Sequence, residues 1–165
     1  HFMASGNFEK AAVYSEHAYR KAEKSASFTD AIAYAKKQVV SLERLPPTEE
    51  VQKRIIDART ALGLYMFLMN YMSEAKETID PIIDLALKRA EKRRLSQIHT
   101  ILGAYHYMVQ EDLPRAFKHL EEALKISREI EEMVSFLFAS NLLGLALSWN
   151  CEFEKSLKEA GYLLP

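Results

Sequence analysis

Three Leu-Gly pairs recur along the chain at almost equal intervals: Leu62-Gly63, Leu102-Gly103 and Leu143-Gly144, spaced by 40 and 41 residues. Each pair lies in an apolar stretch of helical periodicity. Each stretch is followed by a polar break and a second amphipathic helix. Helix pairs recurring at this period predict an α-solenoid, in which each unit buries its apolar face only against its neighbours. Such stacks serve mostly as surfaces that hold other proteins, so the pattern speaks to the class of task before it speaks to any partner.

The rest of the sequence agrees with an all-α reading. Hydrophobic residues make up 48% of 165, enough to fill a core. Leu, Ala, Glu and Lys dominate, and Val, Ile and Thr do not alternate in period-2 runs. The formal net charge of −1 argues against a nucleic-acid binder, which carries a basic excess. There is one cysteine, Cys151, so no disulfide can form within the chain and a reducing cytoplasm is the expected setting. No apolar run is long enough to cross a membrane, and no secretory signal stands at the start.

Local signals divide the chain into eight helices in four antiparallel pairs. Residues His1 to Ser5 read as the end of an earlier helix, broken by Gly6-Asn7. Helix one is expected over Phe8 to Lys24 and helix two over Phe28 to Arg44. Ser27 and Asp30 have the spacing of a capping box. Leu45-Pro46-Pro47 is the clearest break. Thr48 caps helix three, which runs to Asn70. Tyr71 to Ile79 reads as a turn or short helix. Asp80-Pro81 has the pattern of an N-cap followed by proline at the first helical position, opening helix four over Pro81 to Arg93. The cations Lys88, Arg89, Lys92, Arg93 and Arg94 then fall at a helix C-terminus, where the macrodipole favours them. Helix five covers Ser96 to Val109. After the break at Gln110 to Pro114, helix six runs to Glu131, helix seven to Trp149, and helix eight over Phe153 to Leu163. No linker or low-complexity tract divides the chain, so residues 1–165 read as one repeat domain, cut from a longer protein.

Aligned on the Leu-Gly pairs, the units share a finer pattern. Leu143-Gly144 is followed by Leu147, Cys151-Glu152-Phe153, Ser156 and Ala160. Leu102-Gly103 is followed by His106, Ala116, Leu120 and Ala123. Gly6-Asn7-Phe8 through Ala11 reads as a turn and a second helix. This resembles the tetratricopeptide repeat, with its Leu-Gly pair on helix A and its Gly, aromatic and Ala positions on helix B. The resemblance implies a right-handed superhelix. The intervals of 40 and 41 exceed the usual ~34 residues of that repeat. Ser156 stands in place of an alanine, and the inner units lack the proline after helix B. More narrowly, residues 1–22 and 30–63, above all Leu42 to Glu50 and Asp57 to Gly63, resemble the helical region of large bacterial signalling proteins. In that family it follows a class III adenylate or guanylate cyclase domain and an AAA-type ATPase domain. Similar arrays follow the ATPase domains of some transcriptional activators.

Catalytic signals are absent. His99 and His106 share a helix face, seven residues apart, but no HExxH or CxxC motif accompanies them, and helix packing or a solvated face is the expected role. Cys151 has no flanking nucleophile signature and reads as structural. The carboxylates Glu121, Glu122, Glu129, Glu131 and Glu132 alternate with cations in the ordinary solvated pattern. No phosphate loop occurs. The expected chain is therefore non-catalytic, with no cofactor and no metal. Its expected partner is a protein or peptide, or other domains of the parent chain, with no nucleic acid and no membrane. Counting from the Leu-Gly pairs, the resemblance implies a groove lined by Asp57, Thr60, Leu64 and Phe67, then Gln97, Thr100, Ala104 and Tyr107, then Phe138, Asn141, Leu145 and Trp149. It lacks the Lys and Asn set that grips a peptide carboxylate. The alternative is an element that joins copies of the chain into a homodimer, argued from the surplus of Met and aromatic residues on helices three and seven.

Overall fold

The computed structural model describes residues 6–150. All regular structure among them is helical: α1 (Phe8–Lys24), α2 (Phe28–Leu42), α3 (Glu49–Leu68), α4 (Met72–Ile79), a 3-10 turn (Asp80–Ile82), α5 (Ile83–Lys88), α6 (Lys92–Met108), α7 (Leu113–Glu129) and α8 (Met133–Trp149). The expected helix at Phe153 to Leu163, the end of a helix at His1 to Ser5, and Cys151 lie outside the described residues. The chain divides after Leu85 into two compact units. That boundary falls inside α5, where composition gives no linker signal.

In the first unit α1 packs on α2, α2 on α3 and α3 on α4. Ala12, Ala31 and Ala35 are fully buried, and these small residues sit with Leu42, Ile56 and Ile79 in the core. Thr48 caps α3 as its sequence position suggests, its hydroxyl accepting from Val51 N at 3.3 Å. Arg59 ties three elements together: its guanidinium pairs with Glu43 after α2 and donates to the Thr78 carbonyl of α4 at 2.9 Å. In the second unit α6 packs on α7 and α7 on α8, with α6 also touching α8. Its core is Ile98, Ile101, Leu120, Ala123, Ala139, Leu143 and Leu147. Sequential packing of chain neighbours is thus the rule in each unit.

The Leu-Gly pair of α6 shows why glycine stands there. A methyl group placed on Gly103 would lie 2.6 Å from both Cγ and Cδ2 of Leu120, which is fully buried on α7. The α6–α7 hairpin closes to a distance that only a bare Cα permits.

Four of the corners between helices follow one plan. Ala26, Asn70, Ala90 and Glu131 each adopt positive φ, between 50° and 63°. The residue after each donates its N–H to a carbonyl five positions earlier: Ser27 to Ala22 at 2.9 Å, Tyr71 to Met66 at 2.8 Å, Glu91 to Ala86 at 3.2 Å and Glu132 to Ser127 at 3.0 Å. This is the Schellman closure, usually made with glycine at the left-handed position. It also explains why no capping box forms at Ser27. The Ser27 N–H is already committed to Ala22, and its hydroxyl donates to Asp30 Oδ2 at 2.7 Å rather than accepting from the backbone.

Two expectations are corrected between Asp80 and Arg94. Asp80 does not cap a new helix. It continues α4 with helical dihedrals, and its carboxylate pairs with Lys76 at 2.6 Å. Pro81 has no N–H to give an α-type bond, and the chain tightens there into a 3-10 turn. Nor does one helix run to Arg93. α5 stops at Lys88, Ala90 turns the chain, and Lys92, Arg93 and Arg94 open α6. Cations at a helix N-terminus oppose the macrodipole. Here the end of α7 and the start of α8 supply the counter-charge: Lys92 pairs with Glu129 at 2.9 Å and Arg93 approaches Glu132, the N-cap of α8, at 3.8 Å, while Arg94 donates to Gln97 Oε1 at 3.0 Å. The macrodipole argument could not see anions that arrive from more than thirty residues away. Smaller shifts are that α2 ends at Leu42 instead of Arg44, and α3 at Leu68 instead of Asn70.

Candidate functional site

α8 is the one described helix without a charged residue: none occurs between Met133 and Trp149. It begins at Glu132, whose carboxylate accepts from Ser135 N at 2.6 Å and satisfies the first turn. One face, Ala139, Leu142, Leu143, Ala146 and Leu147, is buried. The opposite face is apolar as well. Met133 (64% exposed), Leu137 (45%), Leu145 (47%) and Trp149 (77%) stand in solvent with Val134 and Phe138. Asn141 is exposed between them. Met133, Leu137, Asn141, Leu145 and Trp149 are each four residues apart, so they form one continuous ridge along the helix. Single exposed apolar side chains are commonplace, but a contiguous row marks an interaction surface.

The positions expected to line a groove fall into three kinds. Thr60, Gln97, Thr100 and Ala104 are buried. The Thr100 hydroxyl donates to the Ser96 carbonyl at 3.0 Å, and Gln97 holds Arg94. Asp57, Leu64, Phe67 and Tyr107 are half-buried. Phe138, Asn141, Leu145 and Trp149 are exposed, and all four belong to α8.

A second cluster sits between α6 and α7. His99 and His106 do share a face, and a third histidine, His119 of α7, lies between them. His99 Nδ1 and His119 Nδ1 are 3.0 Å apart. The His106 and His119 rings are parallel, with centroids 5.3 Å apart, and the His99 and His119 centroids are 5.2 Å apart. Seven residues of helix rise roughly 10.5 Å, which these two steps span. Spacing within one helix could reveal His99 and His106 but not His119. The signal that would have found it is the register: Gly103, midway between the two histidines, meets Leu120, the neighbour of His119.

The column does not make a metal site. Imidazole lone pairs lie in the ring plane, so parallel rings cannot aim at one point. His106 Nδ1 is also engaged by Gln110 Oε1 at 2.7 Å. Among the described residues no group of three His, Cys, Asp or Glu side chains could hold a metal ion. Burial, followed by the neighbouring His99 and His106, pushes His119 down to about 4. Burial also lowers His99, against the pull of Glu122. At neutral pH His119 is therefore uncharged and acts as polar packing between the two helices.

An open cleft of about 440 Å³ lies in the first unit, lined by Tyr14, His17, Lys21, Asp30 and Tyr34 among others. No described helix is long and apolar enough to cross a membrane. No protein-family model matches the chain, and no curated protein shows significant similarity to it.

Proposed function

We propose that this chain is a non-catalytic protein-interaction scaffold of tetratricopeptide-like repeats, working in the cytoplasm as part of a bacterial signalling protein. The cyclase- or ATPase-linked parent rests on the resemblance of residues 1–22 and 30–63 to that family's helical region. The observation that supports a binding role is the α8 ridge: a helix with no charge on any face and a row of apolar side chains in solvent. A ridge of this kind fits the apolar face of another helix. The histidine column is read as structural, because the Nδ1 atoms of His99 and His119 are engaged with each other and that of His106 with Gln110.

The test uses the protein's single tryptophan, Trp149, which stands on the ridge. Peptides from a displayed random library are panned against the chain and titrated while Trp149 emission is followed. Amphipathic helical binders should shift the emission to the blue, and Leu145→Lys should abolish both binding and shift. Binders that survive L145K and leave Trp149 unmoved would overturn the assignment of this face.

A further inference from the structure

We propose that His99 and His119 form a proton-operated catch on the α6–α7 hairpin, one that tolerates a first added proton and releases on the second. It holds whatever α8 binds, because it depends only on the contact between the two rings.

His99 Nδ1 and His119 Nδ1 face each other at 3.0 Å. A neutral imidazole has one N–H and one free lone pair, so one of these nitrogens donates and the other accepts. The donor ring keeps its lone pair on Nε2. A first proton added there leaves the contact in place and makes the donor cationic, which strengthens the hydrogen bond. The only basic nitrogen then left in the pair is the accepting Nδ1 itself. A second proton must land on it, and two N–H groups of two cationic rings would then point at each other. The contact cannot survive that step, so the second proton is taken up only where α6 and α7 part at this level.

The surroundings decide which ring is which. Glu122 of α7 draws positive charge to His99, with Lys118 opposing. Burial acts on His119, followed by His99, His106 and Lys118, and every one of these disfavours its charged form. His106 gives no relief. Its Nδ1 meets the acceptor Gln110 Oε1 at 2.7 Å and so carries hydrogen, its ring lies parallel to that of His119, and Tyr105 stands at its edge. α8, which packs on both helices, has no charged residue from Met133 to Trp149. His99 is therefore the donor and takes the first proton, and His119 is the acceptor and takes the last. The catch sits beside the tightest point of the hairpin, since Leu120, which meets Gly103, is the next residue after His119. In a parted hairpin both rings recover their ordinary affinity, so acid favours the parted form.

The experiment follows the imidazole nitrogens of the full chain by nitrogen-15 NMR from about pH 7.5 to about 3.5, a range that brackets the ordinary histidine value. Hydrogen-exchange protection of the α6 and α7 amides is measured over the same range. The neutral rings should carry hydrogen on Nδ1 of His99 and on Nε2 of His119. His99 should titrate first and His119 second, and protection should fall with the second step by up to about tenfold per pH unit, as one linked proton dictates. His99→Phe removes the donor and should move the His119 titration to higher pH. His119→Phe keeps a ring in the stack without a site for the last proton and should lose most of the fall in protection. The same tautomer at both neutral rings, a His119 that titrates before His99, or protection that falls as steeply in H119F as in the parent chain overturns the catch. Tautomers and order are read from the unaltered chain, so they decide even if a variant fails to fold.

Discussion

Gly103→Ala sets two known effects against each other. Replacing glycine by alanine inside a helix gains about 1 kcal/mol from backbone propensity. Here the new methyl group would sit 2.6 Å from Leu120 Cγ and Cδ2. Leu120 is fully buried, so it cannot swing into solvent, and either α6 and α7 part or the side chain leaves its rotamer. Overpacking of this kind costs about 1–3 kcal/mol. The balance is a net loss of about 1 kcal/mol, which for a unit of this size lowers the melting temperature by roughly 5 °C. Thermal denaturation followed by circular dichroism measures it. The attribution to one contact is checked by repeating the change in a Leu120→Val background, where the shorter side chain makes room. There G103A should be neutral or stabilising, so the two substitutions couple instead of adding. If G103A raises the melting temperature in the parent chain, or if its effect is the same in both backgrounds, the close approach is not what glycine provides.

Other expectations follow from the same structure. His119 binds its proton less readily folded (about 4) than unfolded (6.5), so between those values the unfolded chain holds more protons and stability falls as pH drops; discounting the shift for the half-exposed ring leaves ~1 kcal/mol, to be read as the part of the melting-temperature drop between pH 7 and 5 that His119→Gln abolishes. Ala90→Gly relieves a non-glycine residue at φ 50° and should stabilise by about 0.5–1 kcal/mol, with Ala26→Gly behaving alike in denaturant melts. Arg59→Ala strips the partner from Glu43 and from the Thr78 carbonyl, a loss of about 1–2 kcal/mol, measurable as a lower urea midpoint in which Arg59→Lys recovers only part.

The helices themselves were legible because their apolar residues recur at steps of three and four, and because Thr48 and the Pro46-Pro47 break mark an edge unambiguously. The corners were harder. Ala26, Ala90 and Glu131 carry no sign of a left-handed residue, and only the carbonyl five positions back explains them. The local dipole places the Lys92 to Arg94 cations at a helix C-terminus, but Glu129 and Glu132, distant in sequence, hold them at an N-terminus instead. Of the candidate surface, the exposed α8 positions Phe138, Asn141, Leu145 and Trp149 were reached by counting from a Leu-Gly pair. The same counting also selected Thr60, Gln97 and Thr100, since it reports which way a side chain leaves its helix and not what is packed over it. His119 escaped for the same reason, as it needed the α6–α7 register.

The shared corner has a consequence for how such a chain can change over time. Its shape is enforced by main-chain atoms: one amide reaching back to one carbonyl, five positions before. Side chains at the bend are bystanders, which is why Ala, Asn and Glu can all occupy it. A lineage built on this hinge can scramble the letters at those four bends while the angle between the rods they join is inherited intact, so kinship of form outlasts kinship of spelling.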